Sequence, residues 1–198
     1  SLPALKAVVN ALNDMSDIRA LVITGQGEKF FSAGADLNQF ATGDATAAQA
    51  MGDAFGAAFE TLADYRGVSI AVINGYAMGG GLEVALACAI RIAERHAALA
   101  LPEAKVGLLP CAGGTQRLTQ LVGEGWAKRI ILCGERISAE KALSLGLVEE
   151  VVDSGASLSA ALELAKRASE QSPTSIAACK RLIHVARDIT ISAGLEAE

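Results

Sequence analysis

Aromatic side chains are scarce, at 4% of 198 residues with a single tryptophan. A core must therefore be filled by Ala, Val, Leu and Ile, the composition of close-packed helices and buried parallel strands. Histidine is scarcer still: His96 and His184 are the only two, and neither stands at metal-ligand spacing from a cysteine. The four cysteines, Cys88, Cys111, Cys133 and Cys179, are widely separated and form no CxxC pair. No metal site and no disulfide framework is read from them; they read as small apolar thiols of a reducing, cytoplasmic setting. No apolar run approaches the roughly 20 residues of a membrane span, and no basic segment precedes an apolar one as in a secretory signal. An excess of positive charge is also lacking. The net charge is −5, which argues against a large nucleic-acid footprint while leaving room for a local anion site. What is plentiful is apolar material, 52% of the chain, enough for the core of one domain over residues 1–198.

The apolar spacing predicts a helix within Leu2 to Met15, carried by Leu5, Val8, Val9 and Leu12. A short buried strand ends at Thr24 in the turn Gly25-Gln26-Gly27, and Phe30 to Ala33 reads as a second extended piece. Thr42 to Tyr65 predicts a helix, with Phe55, Phe59 and Leu62 on one face. Val68 to Ile73 is the next strand, and Gly79-Gly80-Gly81 opens a helix that runs to about Cys88. Strands are expected at Ile90 to Ala93 and Ala97 to Leu101, then a loop through Pro102, Gly107 and Pro110. Helices follow over Gly114 to Val122, Gly125 to Cys133 and Ser138 to Leu145. A last strand covers Leu147 to Val152, and two more helices cover Ser157 to Gln171 and Pro173 to Asp188, with Ser172 as an N-cap. The rhythm is an approximate ββα period without a linker.

Two glutamates stand out. Glu83 falls in the first turn of the helix opened by the glycine triplet, and Glu103 follows Leu101-Pro102 at the end of an apolar strand. Glycine lets a ligand approach the backbone, and the first N–H groups of a helix have no internal acceptor, so an oxygen gaining negative charge is stabilised there. Alone, Gly79 and Gly80 could equally make a tight turn or a phosphate cradle, Glu83 could simply satisfy the helix dipole, and Glu103 could be solvated. Cys111-Ala112-Gly113-Gly114-Thr115-Gln116-Arg117 is a second glycine-rich helix start whose donors could aim at the same place. Phe31-Ser32-Ala33-Gly34-Ala35-Asp36 is a small-residue loop. Two carboxylates and two sets of amide donors are the parts needed to add or remove water beside a carbonyl, provided that folding brings them together.

Three ordered segments carry a resemblance. Asn74-Gly75-Tyr76-Ala77-Met78-Gly79-Gly80-Gly81-Leu82-Glu83, Phe31 to Leu37, and Leu101 to Arg117 resemble motifs of the enoyl-CoA hydratase/isomerase (crotonase) superfamily, and Glu103 follows Glu83 by twenty positions, as in its hydratases. The resemblance implies an α/β fold, a spiral of repeated ββα units followed by a helical C-terminal region. It implies an acyl-CoA thioester as substrate, with coenzyme A as part of it and no separate cofactor. It implies an oxyanion hole from the N–H groups of Ala35 and Gly80, Glu83 and Glu103 as the catalytic pair, and a substrate and CoA surface from Ala33, Ala35, Asp36, Leu37, Gly79, Gly80 and Cys111. Hydration of a 2-enoyl-CoA to a 3-hydroxyacyl-CoA is the expected reaction. Isomerisation, decarboxylation, retro-aldol cleavage, or silent CoA binding are the alternatives. A homotrimer or a dimer of trimers is the expected assembly, with neither membrane nor nucleic acid as partner. Four departures from the family pattern are visible. Cys111 replaces a common glycine, Ala89 a polar residue and Asn38 a lysine, and the family's N-terminal strands and last C-terminal helix are expected to be missing from 1–198.

Overall fold

The computed structural model describes residues 2–36 and 45–197. Two four-stranded sheets form its frame. The first contains β1 (Ala20–Thr24), β3 (Val68–Ile73), β5 (Ile90–Glu94) and β8 (Glu150–Val152), all parallel and adjacent in that order. The second contains β2 (Phe30–Ser32), β4 (Tyr76–Met78) and β6 (Ala98–Ala100), parallel in that order, closed by antiparallel β7 (Ile137–Ser138). Each chain pass thus leaves one strand in each sheet, which is the repeating ββ part of the period. The helices are α1 (Leu2–Asp14), α2 (Ala45–Ala63), α3 (Gly80–Ala87), α4 (Gly114–Leu132), α5 (Ala139–Ser144), α6 (Ser157–Ser169), α7 (Pro173–Val185) and α8 (Ile191–Ala197).

Strand β3 shows why the first sheet is buried on both sides. Ala71 and Ile73 face the main core with Phe59, Leu62, Leu82 and Leu99. Ile70 and Val72 face the other way and pack with Ile92 and Ala161 under α6. Period-two alternation sends successive side chains to opposite faces, so a continuous apolar run serves both layers. With few aromatics, small residues let the layers approach: Ala58, Ala77, Ala85, Ala93 and Ala100 are all buried.

The expected elements are present, with five differences, the first being the unexpected two-residue strand β7. Tyr76–Met78 forms a strand that the apolar pattern did not reveal, because three residues are too short for alternation to register. The segment after Pro102 is not only loop; Glu103–Val106 makes a 3-10 turn. The helices expected on either side of Gly123 are one element with a break at that glycine, whose φ is 76° and ψ 162°. Ile191–Ala197 adds a short final helix. Ser172 caps α7 as expected, its side chain accepting from the Ser175 N–H. Among the described residues no helix is long and apolar enough to cross a membrane.

Candidate functional site

The site grows from the ends of two neighbouring strands. In the second sheet β2 lies beside β4, with Phe30 opposite Tyr76 and Ser32 opposite Ala77. The loop after β2 therefore runs beside the turn after β4. Gly34 (φ 89°) makes this approach possible: a Cβ there would lie 2.7 Å from the Met78 carbonyl and 3.1 Å from the Gly80 nitrogen. A Cβ on Gly80 would lie 3.8 Å from the Ala35 nitrogen. Gly80 is the first residue of α3, where N–H groups lack an acceptor within the helix. The backbone nitrogens of Ala35 and Gly80 are thus brought to one small region. Ala33 and Asp36 lie exposed beside it. Leu37 and Asn38 fall outside the described residues.

Glu83 sits one turn into α3 and is buried, at 2% exposure. Its Oε1 accepts from the Ala112 N–H at 2.8 Å and the Gly114 N–H at 2.9 Å. Both donors belong to the second glycine-rich helix start, so the two motifs do meet. The contact requires glycine at 114, since a Cβ there would stand 2.8 Å from Glu83 Oε1. Burial pushes the Glu83 carboxyl above the usual range, while the two N–H donors and then the Arg117 charge pull it back.

Glu103 arrives from the other side, at the start of the 3-10 turn after β6. A Cβ on Gly79 (φ 55°) would stand 2.9 Å from its Oε1. Gly79 therefore makes room for a carboxylate, a role beyond the ligand contact expected of it. Glu103 Oε2 is buried with no hydrogen-bond partner. Burial pushes this carboxyl up to about 7; its own N–H opposes the shift and the Glu83 charge adds to it. Each carboxylate of the expected pair thus lies against a glycine, and the charge of Glu83 reaches Glu103. Burial disfavours the anionic form of both carboxyls, and two adjacent anions in a poorly solvated place repel.

Cys111 stands between these groups and α2. A Cβ on Gly52 would lie 3.6 Å from its Sγ. Partial burial and the charges of Glu83 and Glu103 push its thiol up, so it is held as a neutral, weakly nucleophilic side chain. Phe55 of α2 closes over the helix start, its Cε1 lying 3.1 Å from where a Gly80 Cβ would be. Sequence reasoning missed Phe55, whose helical spacing marked it as core, and gave Arg117 no role beyond its place in the second glycine-rich motif. His96 bonds Ser154 and the Glu28 carbonyl, and Ala89 N donates to Ser69 Oγ, both away from the carboxylates.

The sequence model of the family described as enoyl-CoA hydratase/isomerase matches residues 3–198. The carnitinyl-CoA dehydratase of Salmonella arizonae is 40% identical over 184 residues, covering 93% of this chain and 70% of that protein. Among solved structures, Pseudomonas aeruginosa DspI is 65% identical with a TM-score of 0.93, over 95% of this chain and 77% of that one. An enoyl-CoA hydratase from Bacillus anthracis is 36% identical with a TM-score of 0.95, over 99% and 76% of the two chains. With the two-sheet frame, the helical C-terminal region and a family match over almost its whole length, this chain belongs to the enoyl-CoA hydratase/isomerase family.

Proposed function

We propose that the protein adds water to 2-enoyl-CoA thioesters to give 3-hydroxyacyl-CoA, with Glu83 and Glu103 as the catalytic pair and no cofactor beyond the CoA moiety of the substrate. The observation that carries this reading is the pair itself: two carboxyls in one partly buried place, with Glu103 pushed up to about 7 and Glu83 held by two N–H groups. Relatives named as a CoA dehydratase and an enoyl-CoA hydratase accord with water transfer at a thioester.

In this reading the thioester oxygen lies against the N–H groups of Ala35 and Gly80. Addition of water drives charge onto that oxygen, and such a donor is worth about 3–4 kcal/mol when removed. Glu83, whose anion the Ala112 and Gly114 N–H groups and the Arg117 charge stabilise against the effect of burial, takes a proton from water as its oxygen attacks C3. Glu103, which keeps a proton near neutral pH, gives it to C2. A second exchange through solvent restores both groups. The loop of Ala33, Ala35, Asp36 and Leu37 would carry the CoA, and Gly79, Gly80 and Cys111 would line the acyl side. The exposed Leu132, Leu162 and Ile183 of α4, α6 and α7 support self-association in the trimeric form implied by the family.

The test is the loss of enone absorbance of crotonyl-CoA. Wild-type turnover with Glu83→Gln and Glu103→Gln each losing at least 10² in kcat supports the reading. Tight CoA-thioester binding with no change in absorbance, while a 3-enoyl-CoA is converted, assigns an isomerase; binding without either reaction assigns a silent binding protein.

A further inference from the structure

Arg117 occupies an unusual place for a cation. It lies in the first turn of α4, where the helix dipole disfavours a cation. Its partner Glu60 on α2 is largely exposed, and such ion pairs contribute little to stability. Yet the Arg117 side chain is only 13% exposed and its guanidinium is held at two points. Nη2 donates to Glu60 Oε1 at 2.8 Å, and Nη1 donates to the Ala112 carbonyl at 3.1 Å.

The second contact is the informative one. The Ala112 carbonyl belongs to the peptide joining residues 112 and 113. The peptides on either side of it supply the Ala112 and Gly114 N–H groups, and those two N–H groups hold Glu83 Oε1. Arg117 thus grips the middle of three consecutive peptides whose outer two carry the donors. The guanidinium lies so close across Gly113 (φ 92°) that a Cβ there would be 2.2 Å from Nη1. Glycine at 113 serves this approach as glycine at 114 serves the carboxylate.

We propose that Arg117 is a positioning residue of the hydration site, acting on Glu83 through the peptide between its two donors and through its own charge. This rests on the reading of Glu83 as the group that activates water. Arg117 touches no reacting atom in that scheme; it acts through the loop and through its charge. The groups facing Glu83 are Glu103 from the 3-10 turn, Cys111 from the loop and Arg117 from α4. Those facing Arg117 are Glu60 from α2 and His184 from α7.

The test titrates the Glu83 carboxyl directly by ¹³C NMR in wild type, Arg117→Met and Arg117→Lys, with Glu83→Gln to assign the signal. It needs no turnover, so it reads the inference even if hydration fails, whereas wild-type activity on crotonyl-CoA reads the function alone. The expected result is an upward move of the Glu83 midpoint by about half a pH unit or more in Arg117→Met, largely restored in Arg117→Lys. In turnover, kcat of Arg117→Met should fall at least about tenfold while KM changes less than about threefold. An unmoved midpoint in a folded Arg117→Met protein overturns the proposal. So does an Arg117→Lys midpoint equal to that of Arg117→Met. Should Arg117→Met not fold, Arg117→Lys carries the test: its Glu83 midpoint stays within about 0.3 units of wild type if charge is what matters, and a larger rise refutes it.

Discussion

Replacing Glu103 by glutamine should flatten the dependence of stability on pH. The Glu103 carboxyl is pushed above its ordinary value of 4.5 to about 7 in the folded protein, first by burial. An acid whose folded pKa is raised binds more protons folded than unfolded between those two values. Stability is therefore highest below about 4.5 and declines as pH rises toward 7, beyond which the loss is complete. The full shift would correspond to about 3 kcal/mol at 1.36 kcal/mol per unit. Glu103 is partly solvated, so screening reduces this, and the decline between pH 5 and pH 8 is about 1–2 kcal/mol. Glu103→Gln cannot ionise and lacks this decline. Whatever the amide costs by leaving Oε2's place unpartnered, that cost is the same at both pH values and cancels in the difference. Urea unfolding of both proteins at pH 5 and pH 8 reads the comparison. Wild type should lose about 1–2 kcal/mol more than Glu103→Gln across the interval. Equal losses would refute the claim that Glu103 is held protonated by its surroundings, and the assignment of Glu103 as proton donor would go with it.

Glu83→Gln should lower turnover at least 10²-fold and leave acyl-CoA affinity within a few-fold, because its amide oxygen still accepts from Ala112 and Gly114; near-full turnover would reduce Glu83 to a residue that satisfies a helix dipole. Gly80→Val should cost on the order of 10²–10³ in kcat, since its first added carbon meets Phe55 at 3.1 Å and the branch stands where the thioester oxygen must dock; steady-state kinetics on crotonyl-CoA decides it. Gly79→Ala combines a φ of 55° with a contact of 2.9 Å to Glu103 Oε1, so it should lose both stability, by about 1 kcal/mol or more, and activity, measured by thermal melting beside turnover. Light scattering across a concentration series should give a mass above that of one 20.3 kDa chain, and a constant monomer mass would refute self-association.

Much of this arrangement was legible in the sequence, for identifiable reasons. The strands of the first sheet are continuous apolar runs bounded by turns, so Val68 to Ile73 and Ile90 to Ala93 announced themselves. Glu83 was legible because a glycine triplet fixes where its helix begins. The meeting of Glu83 with the Ala112 and Gly114 donors was only suggested, since it spans about thirty positions and depends on how two sheets stack. Strand β4 was not legible: three residues, of which only Ala77 is fully buried, carry no periodicity. The role of Arg117 was not legible for a different reason, although the residue closes the second glycine-rich motif. Nothing local shows that its guanidinium turns back onto the carbonyl of residue 112. Gly79's second role was hidden likewise, because the carboxylate that needs its missing Cβ comes from a separate strand.

The glycines of the site explain why its chemistry and its stability pull apart. Gly34, Gly79 and Gly113 all have positive φ, and all three lie where a Cβ would come within 3 Å of another atom. Each costs conformational entropy on folding relative to a residue with a side chain. Each returns an approach that no other residue permits: backbone to backbone at Gly34, carboxylate to backbone at Gly79, guanidinium to backbone at Gly113. The glutamates add to the cost, because burial disfavours the charged state that water activation requires. A surrounding frame of largely buried β3, β5 and α3 side chains supplies the rigidity that keeps these approaches fixed. If the glycines served only tight turning, Glu83 and Glu103 would be free to lie in solvent; instead the polar atoms fill the spaces that the glycines leave. That coincidence, repeated at Gly79 and Gly114 for two different carboxylates, is the strongest physical ground for regarding the pair as one catalytic unit.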